Sequence, residues 1–154
     1  MSVLRLSHIG ICVAELERSV RFYRDVFGFR ELSRLEIEGA ESDQLIELPD
    51  GKLQAVYLER DGTRIELLYY PKVGHIPIDA PRPMNLAGLT HLSFRVDDVD
   101  ATLAAVEEAG GRCLSATRIG NREFGWAAVF VTDPDGMRIE LLQSPGDPNS
   151  LPGA

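Results

Sequence analysis

The chain carries the same module twice, and no other feature of the sequence constrains its fold as strongly. Leu6-Ser7-His8-Ile9 returns 83 residues later as Leu89-Thr90-His91-Leu92. On the same shift Val13 falls on Val96, Glu15 on Asp98, Leu16 on Val99 and Gly28 on Gly111. Asp61-Gly62-Thr63-Arg64-Ile65-Glu66-Leu67-Leu68 returns as Asp135-Gly136-Met137-Arg138-Ile139-Glu140-Leu141-Leu142, now at a shift of 74, with seven of the eight positions identical. The change of shift means that one copy has a longer middle. The first copy runs over about 4–71 and the second over about 87–144, with a linker at 72–86 and a tail at 145–154. Two copies of this length exclude a short-period solenoid and read as one domain over 1–154.

Each copy has the same periodicities. Ser7 to Val13, and its repeat Thr90 to Val96, alternate as short strands. Leu16, Val20, Tyr23 and Phe27 then form one apolar face at helical spacing, as do Val99, Leu103 and Val106, the latter ending at Gly110-Gly111. Strands are expected near 30–38, 53–60 and 63–70, and again near 112–118, 126–132 and 137–143. Asp61-Gly62 and Asp135-Gly136 suit tight hairpins. The order is β-α-β-β-β twice, an α+β fold, with an inserted short helix or loop over 40–51. The stretch from Pro71 to Gly88, with prolines at 71, 77, 81 and 83, is an extended connector in which His75 is a solvated linker histidine.

With 44% hydrophobic and 26% charged residues, 154 residues suffice for a packed core. A net charge of -8 repels phosphate backbones and anionic lipid, so neither nucleic acid nor membrane is an expected partner. No apolar run has the length of a membrane span, and the first residues show no signal-peptide pattern, so the cytoplasm is the expected location. Cys12 and Cys113 have no metal-like or redox-like spacing and read as small apolar strand residues.

His8 and His91 share one place in the first strand of each copy, and Glu66 and Glu140 share one place in the last. Alternation puts His8 with Leu6, Gly10 and Cys12, and Glu66 with Arg64 and Leu68, while Ile9, Ile11, Ile65 and Leu67 face the core. An ionisable group amid apolar strand residues is costly unless paired or coordinated. Two readings fit: a His–Glu ion pair bracing each sheet, or four ligands to one divalent metal. Repetition of all four, in a chain with three histidines, favours the metal. Two nitrogens and two carboxylates suit Ni, Zn, Co, Mn or Fe without selecting among them.

The repeated module, the strand-borne His8 and His91 and the DGxRIELL endings resemble the vicinal oxygen chelate superfamily. That superfamily includes glyoxalase I, methylmalonyl-CoA epimerase, extradiol ring-cleaving dioxygenases and bleomycin-resistance proteins. The resemblance implies two tandem βαβββ modules forming a half-open β-barrel or cup around a metal held by His8, Glu66, His91 and Glu140. It further implies a small-molecule substrate and a homodimer, with the cup formed within one chain or across two.

The His, Glu, His, Glu set is that of glyoxalase I, which implies a lyase or isomerase in which Glu66 or Glu140 moves a proton. Glyoxalase I carries an Arg four residues after its first His and an Asn four after its first Glu, both for glutathione. Cys12 and Tyr70 stand there in this chain, which argues against a glutathione hemithioacetal. Gly88 to Asp100 is similar to the opening of the second module of methylmalonyl-CoA epimerase, whose ligand at the Glu66 position is Gln. Extradiol dioxygenases leave that position without a ligand, and bleomycin-resistance-type binders generally lack the full set. Both remain alternatives, and the carboxylate of Glu66 weighs against the first. Arg95, on the His91 strand face, is a candidate for a substrate carboxylate or phosphate, or else a strand-end surface arginine. Asn121 to Trp126, with Phe124 and Trp126, reads as a lid or an ordinary hairpin, and Tyr57 and Tyr70 as pocket or core residues.

Overall fold

The computed structural model describes residues 2–150, and within it each copy of the repeat builds one sheet with a helix packed on it. The fold is mixed α+β with two sheets, neither closed into a barrel among the described residues. Chain contacts separate two compact units, Met1–Pro77 and Ile78–Ala154. The tail after Ser144 is described as far as residue 150, and the rest of it lies outside the described residues.

In the first unit the order is β1 (Ile9–Cys12), α1 (Leu16–Phe27), β2 (Arg30–Ile37), α2 (Ala40–Ile46), β3 (Leu53–Arg60) and β4 (Thr63–Tyr69). The insertion expected over 40–51 is thus the helix α2. The sheet order is β1-β4-β3-β2, with β1 parallel to β4 and the other neighbours antiparallel. Leu16, Val20, Tyr23 and Phe27 do share the inner face of α1, and Phe22 joins them in the core. Helix α1 ends where Gly28 takes a φ of 68°, letting the Gly28 and Phe29 amides close back on Arg24 and Tyr23. Ile65 and Leu67 point into this core and are fully buried, so the opposite face of β4 carries Arg64, Glu66 and Leu68. Asp61 and Gly62, both at positive φ, make the two-residue turn expected between β3 and β4.

In the second unit β5 (Leu92–Arg95) and α3 (Val99–Glu108) lead to β6 (Arg112–Cys113), β7 (Ile119–Asn121), β8 (Trp126–Thr132) and β9 (Arg138–Gln143). β5 lies parallel to β9, which pairs with β8, and β6 and β7 both pair with β8. Val99, Val106, Val129, Val131, Ile139 and Leu141 form its core.

Three expectations need correction. The strand expected over 112–118 breaks into β6, a 3-10 turn at Ser115–Thr117, and β7. Thr117 is the cause: its hydroxyl donates to the Leu114 carbonyl at 2.7 Å and accepts the Phe130 amide at 2.9 Å, standing in for a ladder partner. The turn at Asp135-Gly136 is wider than its counterpart, because the Asp133 carboxylate gathers the Asp135 and Met137 amides into a larger loop. The first strands are also shorter than expected. Pairing starts at Ile9 with Ile65 and at Leu92 with Ile139. His8 and His91 therefore stand at the entrance to their strands rather than inside them.

Candidate functional site

In the first unit the parallel ladder sets Gly10 opposite Glu66, which leaves His8 beside the same carboxylate. His8 Nε2 lies 3.0 Å from Glu66 Oε2, and the Glu66 side chain is 10% exposed. The other ring nitrogen, Nδ1, lies 3.1 Å from the Ser7 hydroxyl. Both ring nitrogens thus have an oxygen partner, the carboxylate on one side and the hydroxyl on the other. Tyr57 stands opposite Glu66 on β3 and packs edge-on against the His8 ring at 5.3 Å. The Glu66 carboxylate it faces, with burial adding to the effect, pushes the phenol up to about 12. Tyr70, just past β4, is raised chiefly by burial, with charge at Cys12 and Glu66 adding to it.

The second unit repeats the arrangement with different neighbours. His91 Nε2 lies 3.7 Å from Glu140 Oε2, and Nδ1 lies 2.9 Å from the Thr90 hydroxyl. Phe130 stands opposite Glu140 on β8 and packs edge-on against His91 at 5.2 Å. The Arg138 guanidinium lies over the same Phe130 ring at 5.0 Å. Ser93 stands opposite Glu140 on β5, and its hydroxyl donates to Oε2 at 2.7 Å.

Each unit thus brings its own His and Glu together. Among the described residues neither pair is part of a group of three or more His, Cys, Asp or Glu placed to hold a metal ion. The donor chemistry fits a borderline divalent ion. Two donors each about 2.1 Å from one ion, at right angles, stand about 3.0 Å apart. The His8–Glu66 separation has that value, and the His91–Glu140 separation is slightly wider.

The remaining candidates divide. Tyr57 and Tyr70 lie with Glu66. Arg95 shares a strand face with Ser93, but its guanidinium already donates to the Ser144 and Pro145 carbonyls. Asn121 and Trp126 pair as the ends of a hairpin, with Phe124 exposed in its turn. Trp126 instead helps line a hollow with Asp100, Arg118, Asn121 and Arg122. A second hollow, lined by Glu17, Arg34, Glu36, Gln54 and Val56 among others, contains none of the candidate residues. Sequence reasoning missed Ser7, Thr90, Ser93 and Phe130. The first two had a visible signal, since a hydroxyl residue precedes the histidine in both copies. Ser93 and Phe130 had none, because the repeat has Gly10 and Tyr57 in their places.

Residues 5–141 match the Glyoxalase family model, described as the Glyoxalase/Bleomycin resistance protein/Dioxygenase superfamily. A lactoylglutathione lyase of Haemophilus influenzae is 30% identical over 154 residues, covering 96% of this chain and 98% of that protein. The mitochondrial methylmalonyl-CoA epimerase of Mus musculus is 29% identical over 144 residues, covering 91% of this chain and 73% of that protein. A crystal structure of a glyoxalase family protein from Bacillus cereus has the same fold, with a TM-score of 0.78 at 19% identity over 95% of this chain and 97% of that one.

Proposed function

We propose a function from one premise: the chain belongs to the Glyoxalase/Bleomycin resistance protein/Dioxygenase superfamily. On that footing it is a divalent-metal-dependent lyase or isomerase that moves a proton on a small oxygen-chelating substrate. The observation that supports this best is the repeated placement of histidine Nε2 against a glutamate carboxylate, with Nδ1 turned to a hydroxyl, in both units. A metal-binding imidazole needs its outer nitrogen held, and a hydroxyl stands at that nitrogen in both units. His8, Glu66, His91 and Glu140 are in this reading one four-ligand set for Ni, Zn, Co, Mn or Fe. Two relatives named as a lyase and an epimerase support the reaction class.

When bound, the ion supplies Lewis-acid stabilisation of negative charge developing on a substrate oxygen. The chain supplies the rest. Glu66 or Glu140 takes the proton from the carbon beside that oxygen and returns it at the same or a neighbouring carbon. Ser7 and Thr90 keep the imidazoles oriented. Tyr57 and Tyr70 shield Glu66 from water, and Arg95, Phe124 and Trp126 contact the substrate. The working form is a homodimer, which covers apolar side chains such as Leu4, 97% exposed, and Leu6, 76% exposed.

Two measurements test the reading. Elemental analysis of protein purified without chelator should find one divalent ion per chain, lost when His8 or His91 is replaced by Ala. Turnover is then sought on hemithioacetals, 2-methyl-branched acyl-CoA thioesters and catechols. On the compound that reacts, Glu66→Gln or Glu140→Gln should keep metal yet lose roughly 10²–10⁴-fold in turnover, together with exchange of the substrate C–H for solvent deuterium. Full turnover in both variants overturns the proton-transfer role. Oxygen consumption that survives Glu66→Gln makes the protein a dioxygenase instead.

A further inference from the structure

The two carboxylates have their hydroxyl neighbours on opposite flanking strands. In the second unit the donor is Ser93, on the strand parallel to that of Glu140, and it binds Oε2, the oxygen nearer His91. The equivalent position in the first unit is Gly10. A Cβ there would come 3.2 Å from Leu68 Cδ1, so a serine fits only if Leu68 gives way. In the first unit the hydroxyl stands on the antiparallel side, where Tyr57 lies opposite Glu66 and packs on His8. The residue equivalent to Tyr57 in the second unit is Phe130, which packs on its histidine at nearly the same distance as Tyr57 does but has nothing to donate. Ring packing is thus common to the two units, and the hydroxyl beside the carboxylate has changed strands.

We propose that Ser93 and Tyr57 are positioning residues, each fixing the carboxylate of its own glutamate for binding a divalent cation. The inference rests on the metal reading above. A hydroxyl bonded to one carboxylate oxygen removes rotational freedom and leaves the second lone pairs directed at the ion. The two glutamates, equivalent in the repeat, are therefore held by different means and respond to different substitutions.

The protein's own second unit indicates that Tyr57→Phe is tolerable, because phenylalanine already occupies that place beside His91. Titration calorimetry of Ni(II) into metal-free protein supplies a readout independent of turnover. Tyr57→Phe and Ser93→Ala should each weaken Ni(II) binding by roughly 10–100-fold, the usual effect of losing a residue that orients a ligand. Ser93→Thr, which keeps the hydroxyl, should stay within a few-fold of wild type. If Ser93→Ala fails to fold, Ser93→Val against Ser93→Thr makes the same comparison between side chains of equal shape. Wild-type affinity in Tyr57→Phe and in the hydroxyl-free Ser93 variant overturns this inference and leaves the four-ligand reading standing. Wild-type protein that binds neither Ni(II), Zn(II) nor Co(II) overturns both.

Discussion

A carboxylate as enclosed as Glu66 is tolerated only because a histidine nitrogen and a phenol meet it, since burying an unpaired charge is costly. Glu140 is less dependent on its histidine: its side chain is 29% exposed, and Ser93 bonds it directly. In metal-free protein His8→Ala should therefore cost more stability than His91→Ala, about 1–3 kcal/mol against less than 1 kcal/mol. Urea unfolding midpoints of the two variants measure this, and equal shifts would show that the two pairs are energetically alike. The four candidate ligands were legible in the sequence because the repeat carries them at equivalent positions and alternation separates them from core residues. Their supporting hydroxyls were only half legible. Ser7 and Thr90 recur beside the histidines, but Tyr57 and Ser93 became partners of the glutamates only once strand register was known.

At the scale of elements, the two equivalent helices begin differently. Asp98 caps α3 by accepting the Ala101 amide at 3.0 Å, whereas Glu15, its counterpart before α1, makes no side-chain cap. Asp98→Ala should lose about 1 kcal/mol, while Glu15→Ala should lose little, as read by thermal or urea unfolding. Helix α1 is fastened by other means: Arg34 on β2 bonds Glu17 of α1 and Glu31 of its own strand. Those bonds hold both carboxylates below their usual range and hold the guanidinium above its own. Groups with lowered folded pKa stabilise above the unfolded value and lose that contribution as pH falls through the folded one. The stability advantage of wild type over Arg34→Gln should thus be small, since the pairs are exposed, should start to decline as pH falls below about 4.5, and should vanish only below the lowered folded values. An advantage that shows no decline as pH falls from neutrality to below the folded carboxylate values would show that packing, not charge, is the source. Elements as such were largely legible, because alternation and helical spacing directly reflect which side is buried. The break at Thr117 was not, since a single hydroxyl replacing a ladder partner leaves the apolar pattern intact.

For the molecule as a whole, the metal reading proposed above makes one ion per chain the diagnostic stoichiometry, and removal of the ion a loss of stability. Chelation should lower the melting temperature, and free metal at a hundred times its Kd should restore about 2.7 kcal/mol. A melting curve indifferent to chelator, in protein that analyses as metal-loaded, would place the ion elsewhere. Solution mass at micromolar concentration should be that of a dimer, and a monomer would count against covered apolar surface. Among the described residues no helix is long and apolar enough to cross a membrane. One topological feature also has a kinetic meaning. In each unit the opening strand finds its partner only in the closing one, β1 with β4 and β5 with β9, and those ladders are what set histidine beside glutamate. No local hairpin can assemble either pair, so loop-closure entropy is spent before the donors meet and such distant contacts form slowly. The His–Glu pairs should therefore be late to return during refolding, and a cation added early should not hasten them.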